Sequence, residues 1–477
     1  MQRHVVIIGA GITGLAAAYY LEKQAREAGR SIRCTIVEAG DQAGGKIVTE
    51  RVNDFIIEGG PDSFVTDKPW ALALCHDLGI ADQLIPCNQK DTKVYVLNRS
   101  RLIPLPTGFR LTIPTQFWPF IKSPLISPWG KLRMAMDYFL PPRPAEGDES
   151  VGHFIGRRMG REAVEKFAGP LMAGIYVSDP DKLSMRGTFP RFLDMERKHG
   201  SLIKAALAAR KSPPPPRNGP APAGNAMFNA LRGGMFALIE SLREQIESDL
   251  LLQTTVHSLR REGNGFVLHM QGKHAGVLNA DDVILTAPAR VAAELVRDVH
   301  GELATQLAAI RYVSTATVSL AYLKDDLPTD RPLDGFGVII PPGEKRRIIA
   351  CTWASTKFKY RAPRDCALIR VFVGGYRDES LAELDEPELI EMVRDELADI
   401  LGITARPAMV NAYRWPKGNP QYDVGHPDRV AAMEALAATV PGLHLAGGAY
   451  HGVGMPDCIR SARMAVDRII PPVSARP

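Results

Sequence analysis

Three glycines within six residues, Gly9-Ala10-Gly11-Ile12-Thr13-Gly14, follow an apolar run at 4–8 and open a segment rich in small side chains. Each has a physical role in that setting. Gly9 permits a tight turn, Gly11 lets the main chain approach a diphosphate, and Gly14 lets a helix pack closely on a strand. Free N–H groups and the positive dipole end of that helix then favour a phosphate. Glu38 stands 24 residues past Gly14. There a carboxylate can accept from both ribose hydroxyls and would repel a 2′-phosphate, which disfavours NADP. Past Ala39, the string Gly44-Gly45-Lys46 adds a second glycine pair beside a cation. A second close main-chain approach next to a basic residue suits the longer FAD, whose diphosphate and ribityl chain lie extended. Glu58-Gly59-Gly60-Pro61-Asp62-Ser63 is a turn able to reach the flavin end. Near the C-terminus, Gly452-Val453-Gly454-Met455 leads into a last helix with Pro456 in its first turn. That helix N-terminus either faces the N1–C2=O edge of a flavin or closes a packing turn.

These residues need a scaffold, and the periodicity supplies one. Residues 4–8 read as a buried strand, 14–28 as a helix and 31–38 as a second strand, the βαβ opening of a doubly wound fold. A proline- and aromatic-rich stretch follows at 102–142, then a helical pattern at 152–192. Residues 211–224, with the run Pro213–Pro216, cannot continue a helix or strand. Further on come a helix at 234–250, strands at 253–259, 266–270 and 283–285, strand-like alternation at 312–375, an amphipathic helix at 386–401 and a strand at 443–446. The fold class is therefore α/β. A discontinuous Rossmann-type FAD-binding domain is expected from residues 1–90, 230–290 and 405–470. A helical and aromatic-rich region is expected at 91–210, a proline-rich loop at 211–224, and a mixed-sheet substrate domain at 291–404.

Composition excludes several classes. Lysine and arginine number 58 against 53 acidic residues in 477, a net charge of +5, too slight and scattered for nucleic-acid binding. The 6 cysteines form no C-x-x-C pair, so neither a metal site nor a disulfide framework is expected, and a reducing cytoplasm suits them. No apolar run reaches the ~20 residues of a spanning helix.

Longer strings carry a resemblance. Glu58-Gly-Gly-Pro-Asp-Ser-Phe64, Gly169-Pro-Leu-Met-Ala-Gly-Ile-Tyr176, Asp181-Lys-Leu-Ser184 with Thr188-Phe-Pro190, and Gly452-Val-Gly-Met-Pro-Asp-Cys458 resemble the porphyrinogen oxidases of haem synthesis, within the flavin amine oxidase superfamily. The likeness runs from Val5 to about Val466. Trp415, Pro420-Gln-Tyr422 and Val424-Gly-His426 look like the bacterial branch that uses coproporphyrinogen III. Pro213–Pro216 and Lys46, where arginine is frequent, depart from the commonest pattern. The resemblance implies FAD contacts at Gly9 to Gly14, Glu38, Ala39, Gly45, Lys46, Gly60 to Ser63, Val256, Trp415 and Val453 to Met455. It implies a tetrapyrrole substrate against Leu171, Met172, Gly174, Ile175 and Tyr176. Lys68 and Lys93 are then candidate carboxylate partners, with Arg99 and Arg101 in reserve.

Such an enzyme would remove six electrons in three flavin cycles, with O₂ as acceptor and hydrogen peroxide as product. No nucleophile is demanded, because the cofactor carries the hydride chemistry. Coproporphyrinogen III is favoured, with protoporphyrinogen IX open. His451 could act as a base or simply pack. Residues 113–139 could dock on a membrane interface, meet a haem-pathway partner, line the channel or lie in the core. An amine oxidase, a carotenoid desaturase and a non-catalytic flavoprotein remain as rival readings.

Overall fold

The computed structural model describes residues 2–106, 109–110, 113–114, 117–143, 147–211, 219–331 and 333–472; Pro213–Pro216 lie outside them. Strand β1 (Arg3–Ile8), helix α1 (Ile12–Glu27) and strand β2 (Ile32–Val37) form the expected opening unit. β1 is the centre of a five-stranded parallel sheet, ordered Asp249–Leu251, β2, β1, Asp282–Leu285, Leu443–Leu445. Val5, Val6 and Ile7 are wholly buried because both faces of this sheet are covered, which is why the strand reads as a continuous apolar run rather than an alternating one. The chain leaves the sheet after β2 and returns only at 249, 282 and 443.

A second, seven-stranded sheet runs Met409–Pro420, Tyr312–Leu323, Cys366–Gly374, Ile348–Trp353, Gly335–Ile339, Lys93–Asn98, Arg101–Pro104. All its pairings are antiparallel except that of Gly335–Ile339 with Lys93–Asn98. Three strands, in two segments, belong here that the sequence grouped elsewhere. Residues 93–104 fall within the region read as helical, and 409–420 within a nucleotide-binding piece. The second holds Pro416, Gly418 and a register shift opposite Val313/Thr315, and those breaks erase the period-two pattern. Helix Glu386–Leu401 covers one face, capped by the Asp385 side chain and ended by Gly402 at φ 72°.

The helical pattern at 152–192 resolves into short pieces. Val151–Met159 stops at Gly160 (φ 93°), Val164–Ala168 widens into a π turn, and Gly169–Ile175, Met185–Thr188 and Pro190–His199 follow. The aromatic stretch divides: Phe120, Leu125, Ile126 and Met134 enter the helical core, while Trp118, Trp129, Leu132 and Phe139 face solvent.

Candidate active site

The glycine turn after β1 is fixed by the protein itself. Gly9 takes φ 108° and donates its N–H to the Val37 carbonyl at 2.8 Å. A Cβ at Gly14 would stand 1.9 Å from the Gly9 carbonyl oxygen, whereas one at Gly11 would meet nothing within 4 Å. Gly14 is thus a packing glycine and Gly11 an opening. Gly11 is also the N-cap of α1 and offers no side chain to its first N–H groups, which leaves them for an anion. Ala10, Ile12 and Thr13 are buried behind the turn.

Glu38 ties two turns together. Its carboxylate accepts from the Ala10 N–H at 2.7 Å and from the Gly40 N–H at 2.8 Å, and it retains lone pairs for ribose hydroxyls. Ala39 is exposed beside it. Gly44 donates to the Ala10 carbonyl at 2.8 Å, and Gly45, at φ 58°, lies against Gly11. The Thr254 N–H reaches the Glu38 carbonyl at 2.9 Å, which brings strand Thr254–Glu262 alongside. Val256 sits there at a bulge with its side chain buried. Lys46 donates to the Gly418 carbonyl. Its side chain is open to solvent, yet protein surrounds it closely enough that burial lowers its pKa. A phosphate would offset that penalty. Cys458 stands close to Lys46: burial pushes its thiol up to about 11, against a Thr13 hydrogen bond and the Lys46 charge. These features fit an FAD diphosphate and adenosine.

The Gly59–Gly60 turn, expected at the flavin end, is wedged in place. A Cβ at Gly60 would overlap the Lys46 carbonyl oxygen at 1.7 Å, and one at Gly59 would strike the Tyr413 ring at 2.8 Å. Trp415 donates its indole N–H to the Gly59 carbonyl at 3.0 Å. Pro61, Asp62 and Ser63 are half-buried. Asp62 accepts from Lys357 at 2.8 Å and from the Ser63 hydroxyl at 2.7 Å. Burial would raise its carboxyl, but Lys357 and Arg370 overcome that and hold it well below the usual range. The C-terminal turn has its own supports. Gly454 is the N-cap of helix Met455–Ile469, again without a side-chain cap and with a proline in the first turn. Tyr422, which the sequence marked only as part of a resemblance, pins this turn. Its hydroxyl donates to the Gly448 carbonyl and accepts from the Gly452 N–H, both at 2.8 Å.

Of the substrate candidates, Met172 is fully buried in the helical core and backs the wall rather than lining it. Gly174 and Ile175 are open, Leu171 is half-buried, and Tyr176 meets Phe189 edge-on at 5.6 Å. Tyr176, Leu171 and Val453 pack on one core cluster with Tyr422, so this wall adjoins the C-terminal turn. Lys68 joins it through a 2.6 Å ion pair to buried Asp457. Lys93 is engaged by Asp334, and Arg99 and Arg101 occupy an exposed hairpin turn; among the described residues, no bond ties these three to the C-terminal turn. His451 is exposed and pairs with Glu434 at 3.0 Å. An open cavity of about 970 Å³ lies between residues 324–334 and 355–367 and touches no candidate residue, so volume does not mark the site. Among the described residues no helix is long and apolar enough to cross a membrane.

The family model for flavin containing amine oxidoreductases matches residues 12–470. The chain belongs to that family. It is 37% identical over 468 residues to the coproporphyrinogen III oxidase of Bacillus subtilis (strain 168), covering 98% of this chain and 97% of that one. The coproporphyrinogen III oxidase of Propionibacterium freudenreichii is 35% identical over 500 residues, at 98% and 90% coverage. A crystal structure from Exiguobacterium sp. 255-15, described as a candidate protoporphyrinogen oxidase, superposes with a TM-score of 0.86 at 33% identity, covering 98% of this chain and 99% of that one. The resemblance to porphyrinogen oxidases thus extends over nearly the whole chain, and FAD is the cofactor of this oxidoreductase.

Proposed function

We propose that this chain oxidises a porphyrinogen to a porphyrin on the route to haem. Coproporphyrinogen III is its preferred substrate, and the electrons pass to O₂ with release of hydrogen peroxide. The observation that supports this reading is the open apolar wall at Gly174 and Ile175, set beside the Val453 turn with the Lys68–Asp457 pair at its edge. Bound FAD supplies the hydride acceptor. Gly11, Glu38 and Lys46 hold its adenosine and diphosphate, and the Gly60–Ser63 and Val453–Met455 turns hold its ring end. Ile175 and Tyr176 orient the flat macrocycle. Asp457 steadies the Lys68 ammonium, which is 40% exposed and so remains available to a substrate carboxylate. An amine oxidase would use its aromatic pair as an open cage. Here Tyr413 packs on Gly59 and bonds Glu50, while Trp415 bonds Gly59; both rings brace the turn.

The test is kcat/KM for coproporphyrinogen III and protoporphyrinogen IX at low and high salt, with peroxide counted per porphyrin. Each partly hydrated carboxylate contact contributes on the order of 0.2 to 1 kcal/mol and weakens with salt. The expected result is a preference for the tetracarboxylate that shrinks at high salt and in Lys68→Ala. Preference for protoporphyrinogen at both salts would replace this reading with an enclosed, apolar pocket.

The stretch 118–139, with Trp118, Trp129, Leu132 and Phe139 exposed, supports a peripheral contact with an anionic lipid surface. Lys122 and Lys131 lie within it, and the acid within it, Asp137, is buried. Trp129→Ser with Phe139→Ser should reduce sedimentation with phosphatidylglycerol vesicles. Unchanged sedimentation would remove the proposal.

A further inference from the structure

Under the flavin-end turn lies a buried charge cluster that the proposed reaction does not use. The Gly59 carbonyl oxygen accepts three hydrogen bonds, from Arg370 at 3.1 Å, Trp415 at 3.0 Å and Thr317 at 3.2 Å. Arg370 also donates to the Gly60 carbonyl at 2.6 Å. These donors project from three adjacent strands of the seven-stranded sheet, so that sheet grips the turn from beneath. Two neutral donors already satisfy the Gly59 oxygen, and the Gly60 bond needs only a donor, not a charge; positioning alone therefore gives no reason for a guanidinium that is 5% exposed.

The surrounding charges do not balance. Among the described residues, Lys357, Arg361 and Arg370 face Glu58 and Asp62. Lys357 binds Asp62 at 2.8 Å, and Arg361 stands 3.5 Å from Glu58. Three cations against two carboxylates leave one positive charge uncompensated. The Nε–H groups of Arg361 and Arg370 have no partner among the described residues. A buried, unbalanced cation is costly unless something nearby takes up negative charge. The Gly60 turn is where the flavin end is placed by the function proposed above, on which this inference rests. A flavin that accepts a hydride, two electrons and one proton, gains one negative charge.

We propose that Arg370 is a positioning residue with an electrostatic role. It holds the Gly59–Gly60 turn and places a buried positive charge that favours reduced over oxidised FAD. Oriented charge in a preorganised, water-poor setting acts where negative charge develops, without reorganisation at that moment. The charge also explains why an arginine, rather than a third neutral donor, reaches this turn.

The experiment uses the full-length holoprotein, with the FAD midpoint potential and FAD dissociation constant measured for wild type, Arg370→Gln, Arg370→Lys, Lys357→Gln and Trp415→Phe. Arg370→Gln should lose about tenfold in preference for reduced over oxidised FAD, which is ~30 mV for a two-electron couple. Arg370→Lys should recover most of that potential while binding FAD less tightly, since one ammonium fits two carbonyls poorly. Lys357→Gln keeps a donor to Asp62 and removes a cation at a more accessible place. It should lower the potential in the same direction, and it serves if Arg370→Gln does not fold. Trp415→Phe removes a neutral donor from the same oxygen, and should weaken FAD binding without moving the potential. An unchanged potential in both charge-removing variants would overturn the inference, as would an equal shift in Trp415→Phe. Failure of the wild type to bind FAD would overturn the flavin site itself instead.

Discussion

Replacing Glu38 with alanine tests whether the acid after β2 serves the cofactor, the fold or both. The carboxylate bonds the Ala10 N–H at 2.7 Å and the Gly40 N–H at 2.8 Å. Ala10 is wholly buried, so its N–H would be stranded at a cost of about 1 to 3 kcal/mol. Gly40 is half-buried and can turn to water at little cost. The apoprotein should therefore lose stability by about that amount. FAD binding should weaken further, because a hydrogen bond to a charged partner contributes roughly 1.5 to 3 kcal/mol, a factor of about ten to a hundred. Glu38→Gln keeps one acceptor oxygen and should fall between. Urea unfolding of apoprotein and fluorescence titration with FAD separate the two effects, and turnover at saturating FAD should stay near that of wild type. If Glu38→Ala left both apoprotein stability and FAD affinity intact, the bonds to Ala10 and Gly40 would not matter. If affinity held while saturated turnover collapsed, Glu38 would belong to the chemistry.

Three further outcomes follow from individual contacts. Gly11→Val should fold, since a Cβ there meets nothing within 4 Å, yet purify as colourless apoprotein; a yellow protein with full FAD content would refute the opening at Gly11. Arg158→Ala should destabilise the helical region by about 3 to 5 kcal/mol, because the fully buried guanidinium bonds Asp137 and the carbonyls of Pro141 and Gly200; a loss below about 1 kcal/mol in urea unfolding would contradict it. His426 is stacked on Tyr422 at 3.9 Å, and burial pushes its pKa down to about 4. The unfolded chain thus binds an extra proton between about pH 6.5 and 4, so stability should fall on acidification through that window by up to about 1.4 kcal/mol per pH unit. His426→Gln should flatten that slope, and an unaltered slope would refute the assignment.

What the sequence made legible is what neighbours in sequence can encode. The turn from Gly9 to Gly14 and the acid at Glu38 lie within one βαβ unit, so glycine spacing and two apolar runs place them together. Helix Glu386–Leu401 was readable to its ends because Asp385 caps it and Gly402 stops it. Gly454 and Pro456 marked the last helix for the same local reason. The pattern over 152–192 carries such punctuation, and reading it as one helix passes over it: Gly160, at φ 93°, ends the first piece, and Pro190 stands in the first turn of the last. The aromatic stretch at 113–139 could not be divided by periodicity into core and surface. Phe120 and Trp118 are two residues apart and face opposite ways because one meets the helical core and the other does not.

The parts of the site that sequence did not reveal are those that act across the whole chain. Arg370 reaches Gly60 across 310 residues and Trp415 reaches Gly59 across 356. On its own strand Arg370 sits in a run of buried apolar residues, Leu368, Ile369 and Val371. An arginine there signals a buried partner, and that was the one mark available beforehand. Lys357 follows the same logic, paired with Asp62 beneath a turn that glycine spacing alone had already singled out. Local motif reading finds the turns that contiguous chain builds. The support for the Gly59–Gly60 turn comes from a separate sheet whose strands are paired in register, so the identity of that support is fixed by topology rather than by spacing. A change on that sheet, far in sequence from every glycine motif, is therefore where altered redox behaviour should be sought when the nucleotide-binding glycines are intact.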